Sequence, residues 1–76
     1  MKIEDIDWND KHWTCTGKYR HFIIKLVLFG TNNYTIHCHL KWKKEYLYIG
    51  SSDCKTLEKA KFVGTKIIND FINKIK

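Results

Sequence analysis

The stretch Tyr34-Thr35-Ile36-His37-Cys38-His39-Leu40-Lys41-Trp42 decides the fold. Tyr34, Ile36, Cys38, Leu40 and Trp42 fall on one side of an extended chain. Thr35, His37, His39 and Lys41 fall on the other. A strict period of two is that of a strand in a sheet with one buried and one wet face. Upstream, residues 19–29 predict a second and longer strand. Its even positions Phe22, Ile24, Leu26 and Leu28 form one apolar row, and its odd positions His21, Ile23, Lys25, Val27 and Phe29 are mixed. Gly30-Thr31-Asn32-Asn33 between them is a turn cluster. Residues 11–16 alternate as well, with Trp13 and Cys15 opposed to His12, Thr14 and Thr16, and Gly17-Lys18 reads as a tight turn. Downstream, Lys43-Lys44 is a second hairpin turn, and residues 45–49 are a short strand ended by Gly50-Ser51-Ser52.

The period changes at Thr56. This residue is a good N-cap, and Glu58 follows in the first turn, where a carboxylate meets the positive end of the helix dipole. Leu57, Ala60, Gly64, Ile67, Ile68, Phe71, Ile72 and Ile75 then fall on one stripe at helical spacing. Gly64 lies near the centre of that stripe. Glycine costs helix stability, so its expected use is a close approach of helix to sheet. Lys74 and Lys76 fall in the last turn, where cations are favoured. The expected fold class is α+β: a two-layer domain, with an antiparallel three- or four-stranded β-meander packed against one C-terminal α-helix. Residues 1–10 are expected to be an acidic arm, with Ile3, Ile6 and Trp8 as anchors, and residues 11–76 a single β-β-β(-β)-α domain.

With 76 residues, the chain has room for one small core. No apolar run approaches the length of a membrane span, and residues 1–10 lack the apolar core of a secretory signal. The net charge of +6 is unevenly spread, since four of the eight acids lie in the first ten residues and all but one of the 14 Lys and Arg lie beyond them. A basic body favours polyanions. Only Arg20 is arginine, so diffuse phosphate attraction by lysine is expected over reading of base edges by guanidinium groups. Cys15, Cys38 and Cys54 are an odd number with no Cys-x-x-Cys pair. This argues against a disulfide framework or a structural zinc site and for a reducing, cytoplasmic setting.

The expected open face of the sheet carries His12, Thr14, Thr16, His21, Lys25, Thr35, His37, His39 and Lys41. Tyr46 and Tyr48 join it if the last strand buries Leu47 and Ile49. Such a surface can stack on bases and hydrogen-bond phosphates. His37 and His39 share this face about 6.6 Å apart. With His21 on the neighbouring strand they could bind a divalent metal, but the pattern places no acid or thiol on that face and a three-His site needs an exact register, so no metal or other cofactor is expected. Phe62 lies opposite the apolar helix stripe among Lys55, Lys59 and Lys66. It is either a partner contact or packed under the arm beside Trp8. No phosphate loop, nucleophile elbow or carboxylate pair is present, so no enzymatic activity is expected.

Tyr46-Leu47-Tyr48-Ile49-Gly50-Ser51-Ser52, followed by Thr56-Leu57-Glu58-Lys59-Ala60-Lys61, resembles the three-strand-plus-helix DNA-binding modules of phage-integrase arm-binding domains and plant ethylene-response factors. The similarity covers about residues 17–75. It implies a sheet that enters the major groove, with contacts from Arg20, His21, Lys25, Thr35, His37, His39 and Lys41. Size and a composition rich in Lys, Ile and Asn also resemble small phage- or plasmid-encoded accessory proteins, including inhibitors of host defence nucleases. The expected function is a small basic nucleic-acid-binding module, with DNA ahead of RNA, using the sheet face and the hairpin Lys41, Lys43 and Lys44. The alternative is a protein-binding accessory factor, such as a phage-type nuclease inhibitor, that meets an acidic surface through Phe62, Lys55, Lys59 and Lys66.

Overall fold

The computed structural model describes residues 1–11 and 13–75; His12 of the expected open face and Lys76 of the expected last helical turn lie outside these. The architecture is α+β. One antiparallel sheet of five strands, in the order β1-β2-β3-β4-β5, is covered on one face by a C-terminal helix. The strands are β1 (Asp7–Asp10), β2 (Thr14–Tyr19), β3 (Phe22–Phe29), β4 (Asn33–Trp42) and β5 (Glu45–Cys54); the helix α1 is Leu57–Ile75. No helix among the described residues is long and apolar enough to cross a membrane.

The expected three or four strands become five because the N-terminal segment is not an irregular arm. A short 3-10 turn at Ile3–Asp5 leads into β1, which pairs with β2 through Asp7↔Lys18, Trp8↔Gly17, Asn9↔Thr16 and Asp10↔Cys15. Gly17 is therefore the middle of a strand and not a turn. A Cβ built on it would lie 2.6 Å from the Trp8 ring and 2.8 Å from Ile6 Cγ2. The indole fills the space a side chain would take, which is the usual reason for a glycine inside a strand. Ile6 is buried in consequence, and Trp8 Nε1 donates to the Ile3 carbonyl at 3.1 Å. The true β2–β3 turn is Arg20-His21, between the paired residues Tyr19 and Phe22.

The helix-facing side follows the alternation. Ile24, Leu26, Ile36 and Cys38 from the two central strands are at most 1% exposed, together with Ala60 and Ile68 of α1. Each buried Ile or Leu contributes about 1.5–3 kcal/mol of transfer free energy. Thr56 caps the helix as expected, its Oγ1 accepting from Lys59 N at 3.2 Å. Gly64 brings the layers together. Its ideal Cβ would sit 2.7 Å from Ile24 Cγ2, and its carbonyl accepts from the Cys38 thiol at 3.7 Å.

β5 runs four residues past the expected end at Gly50, because the small residues 50–52 continue the ladder against Cys38, His37 and Ile36. Between Cys38↔Gly50 and His39↔Tyr48 the register slips, leaving Ile49 as the extra residue of a β-bulge. Ile49 and Gly50 both turn towards α1: Ile49 packs against the core, and a Cβ on Gly50 would meet Ile67 at 3.2 Å. Leu47, expected inside, is 54% exposed, and Trp42, assigned to the same side, is 61% exposed at the end of the sheet.

Gly64→Ala tests the layer contact. Alanine is the better helix former by about 1 kcal/mol, but its methyl group meets the stiff, branched Ile24 side chain in a filled core. Urea unfolding is expected to show a net loss of about 1–3 kcal/mol.

Candidate nucleic-acid interface

The five-strand register lays the open face out in rows. Asp7, Lys18, Ile23, His39 and Tyr48 form one row across all five strands. Asn9, Thr16, Lys25, His37 and Ser51 form the next, and Thr14, Val27, Thr35 and Asp53 a third. Lys41 and Tyr46 pair at the end of the sheet where the basic turns lie. Lys25, Thr35, His37, His39 and Lys41 therefore share one surface, as the alternation predicts. The cations Lys18, Lys25 and Lys41 occupy β2, β3 and β4, and the two acids Asp7 and Asp53 stand on the outer strands. The one ion pair among the described residues, Lys61 Nζ to Asp10 Oδ1 at 3.5 Å, involves none of them.

The bulge puts the tyrosines on this face. The His39 ring lies edge-on to Tyr48 at 5.6 Å and to Tyr46 at 6.4 Å between centroids. Lys41 Nζ stands 5.8 Å above the Tyr46 ring. Tyr46 and Tyr48 are 59% and 56% exposed, so their faces are open to a stacking partner. Beside them, Thr16, Lys18, Ile23, Lys25, His39 and Tyr46 line a depression of about 480 Å³. Sequence reasoning misses Lys18 here, because Gly17-Lys18 reads as a turn. The Trp8 that pairs with Gly17 was the available signal.

Arg20 and His21 are not on the open face. They form the β2–β3 turn, beside the β4–β5 turn Lys43-Lys44, and the His21 carbonyl accepts from Lys41 N at 2.7 Å. The His21 ring meets Trp42 edge-on at 5.9 Å, and the Arg20 guanidinium lies 5.4 Å over the Tyr19 ring. Arg20 and Lys43 have φ of 54° and 57°, left-handed values that disfavour non-glycine residues. Two strained basic turns thus extend the Lys and Tyr surface around one end of the sheet. His21 is removed from His37 and His39, and no group of three or more His, Cys, Asp or Glu among the described residues is placed to hold a metal ion.

On the opposite side of the molecule, Lys59, Phe62 and Lys66 follow one another along α1, with Lys55 just before the helix. Phe62 is not packed beside Trp8 but is 64% exposed. It borders a depression of about 370 Å³ between the helix and residues 1–4. Trp8 is taken up by Gly17 and by Lys61, whose Nζ is 5.3 Å from its ring. The N-terminal segment is fastened further along the helix, where the Met1 amino group donates to Asn69 Oδ1 at 3.0 Å and Asn69 Nδ2 donates to the Met1 carbonyl at 2.9 Å.

The three cysteines are free. Burial, reinforced by donation to Asp10 Oδ1 at 2.7 Å, pushes the Cys15 thiol up to about 12, and burial alone pushes Cys38 up to about 12. The same thiol hydrogen bond holds the Asp10 carboxyl below its usual value, aided by Lys61. No protein-family model, curated protein or solved structure matches the chain.

The thiols give a test of this packing. In the unfolded chain they ionise near 9, and in the folded one near 12. Between those values the folded state holds more protons, so stability falls as pH rises through this window. Denaturant titrations across it should show a slope approaching two protons, reduced towards one in Cys38→Ala. Alkylation of the native protein at pH 8 should mark the partly exposed Cys54 well before the other two.

Proposed function

We propose that the chain is a small nucleic-acid-binding module, with DNA the expected polymer, that uses the open face of its sheet. The observation that carries this reading is the joint placement on one face of Lys18, Lys25 and Lys41 with His37, His39, Tyr46 and Tyr48, the tyrosine rings bared to solvent. Cations supply phosphate attraction whatever the sequence, and aromatic faces accept any base. Arg20, Lys43 and Lys44 continue the charge around the sheet end. The left-handed φ of Arg20 and Lys43 supports the same reading. A glycine would relieve strain there, and retained strain of this kind clusters at functional sites. Thr35, beside Val27 and Asp53, lies at the margin of this surface.

A second reading is favoured by Phe62, bared between Lys59 and Lys66 on the far side of the molecule. It is a protein-binding accessory factor, of the kind that inhibits a nuclease, which docks this helix face on an acidic partner.

Anisotropy titrations of a labelled oligonucleotide should give a micromolar dissociation constant at low salt, weakening steeply as salt rises. Lys41/Lys43/Lys44→Glu should reduce affinity by at least tenfold for every sequence and flatten the salt dependence; unchanged affinity would remove the sheet-face reading. Lys43→Gly separates strain from charge. Its stability should hold or rise by up to about 1 kcal/mol, while binding weakens about twofold to threefold from the loss of one phosphate contact.

A further inference from the structure

We infer that this face takes single-stranded rather than duplex nucleic acid, and that the depression between Lys18, Lys25 and Tyr46 seats one nucleotide of the strand. The inference rests on the nucleic-acid reading above and specifies its ligand. Two independent features lead to it.

The first is width. Five strands at a spacing of about 4.8 Å make a face about 19 Å across, whereas the B-DNA major groove is about 12 Å wide and admits a helix or a two-stranded ribbon. Completion of the sheet by β1 therefore prevents its whole face from lying flat in a groove. A single strand needs no groove and can cross the rows.

The second is the make-up of the depression. Its volume of about 480 Å³ suits a small organic ligand. Its lining divides as a nucleotide does. Ile23 and the rings of His39 and Tyr46 offer an apolar and aromatic surface for a base. Lys18 on β2 and Lys25 on β3 stand diagonally across its edge, within reach of a phosphate, and Thr16, opposite Lys25, adds a hydroxyl. Among the described residues no carboxylate lines it. Asp7, across from Lys18, borders the neighbouring depression instead. Lys41 stands over Tyr46 and supplies a cation for the next phosphate along a strand running towards Lys43 and Lys44. Tyr48, on the far side of His39, offers a second ring for the following base.

The test is an anisotropy titration at fixed low salt with labelled oligothymidylate about 12 nucleotides long and a duplex of the same length. The wild type should bind the single strand at least tenfold more tightly. Tyr46→Ala should weaken single-strand binding at least fivefold and duplex binding less than twofold, with the salt slope unchanged because no charge is lost; Tyr46→Phe should keep wild-type affinity. Lys18→Glu/Lys25→Glu should weaken single-strand binding and also reduce the slope. Tyr46 is mostly exposed near a turn, so unaltered circular dichroism is expected for both of its variants. Equal or tighter duplex binding overturns the inference while leaving the nucleic-acid reading in place, as does single-strand binding indifferent to Tyr46→Ala. Thymidine monophosphate binding as tightly as the oligonucleotide also overturns it, since flanking phosphates then contribute nothing. Absence of binding to both polymers defeats the broader reading as well.

Discussion

The approach of α1 to the sheet at Gly64 is the constraint on which the rest depends. With no side chain there, the helix backbone settles onto Ile24, and the Cys38 thiol reaches the Gly64 carbonyl. A chain this small has few apolar residues to spend, and Ile24, Leu26, Ile36 and Cys38 of β3 and β4 are buried almost completely beneath this helix. One helix covers one face. Everything on the other face, including exposed tyrosines and closely spaced lysines, is free of packing duties and is left for solvent or a ligand.

A second close approach, of Trp8 to Gly17, organises the charge. By pairing with β2, the acidic N-terminal segment becomes the sheet's outer strand and holds Asp7, Asp10 and their neighbours at one margin. The lysines of β2, β3 and β4 then dominate the middle. Net charge alone does not produce a binding surface, because opposite charges interspersed among those lysines would cancel their field at short range. Segregation of the acids to an edge strand preserves it.

The strands β3 and β4 and the helix were legible in the sequence because each repeats its period for several turns or pleats. Thr56 and Gly64 were legible because each sits where only one use of that residue fits the pattern. The parts that were not legible involve residues with two uses. Glycine marks both turns and close contacts, and Gly17 has the composition of the former but, packed against Trp8, serves as the latter. Gly50-Ser51-Ser52 resembled a loop by composition, yet the long β4 needed a partner along its whole length, and pairing overrode propensity. The four residues of β1 are too few to show alternation. His21 leaves the face for a turn as a direct result of the Gly17 reading, and Lys18 goes the other way.

The bulge at Ile49 works as a half-period slip in the pleat. Up to Gly50 the fifth strand is in phase with the core; on the far side of one inserted residue its parity is inverted, so Tyr46 and Tyr48 emerge beside His39 instead of entering beneath the helix. Were the ladder regular, with Ile49 paired instead of bulged, Leu47 and Ile49 would point outward and the phenol rings inward. Whether Ile49 bulges or pairs therefore decides whether this hairpin shows solvent a stacking surface or an aliphatic one at constant composition, a far larger change of surface chemistry than any one substitution there could make.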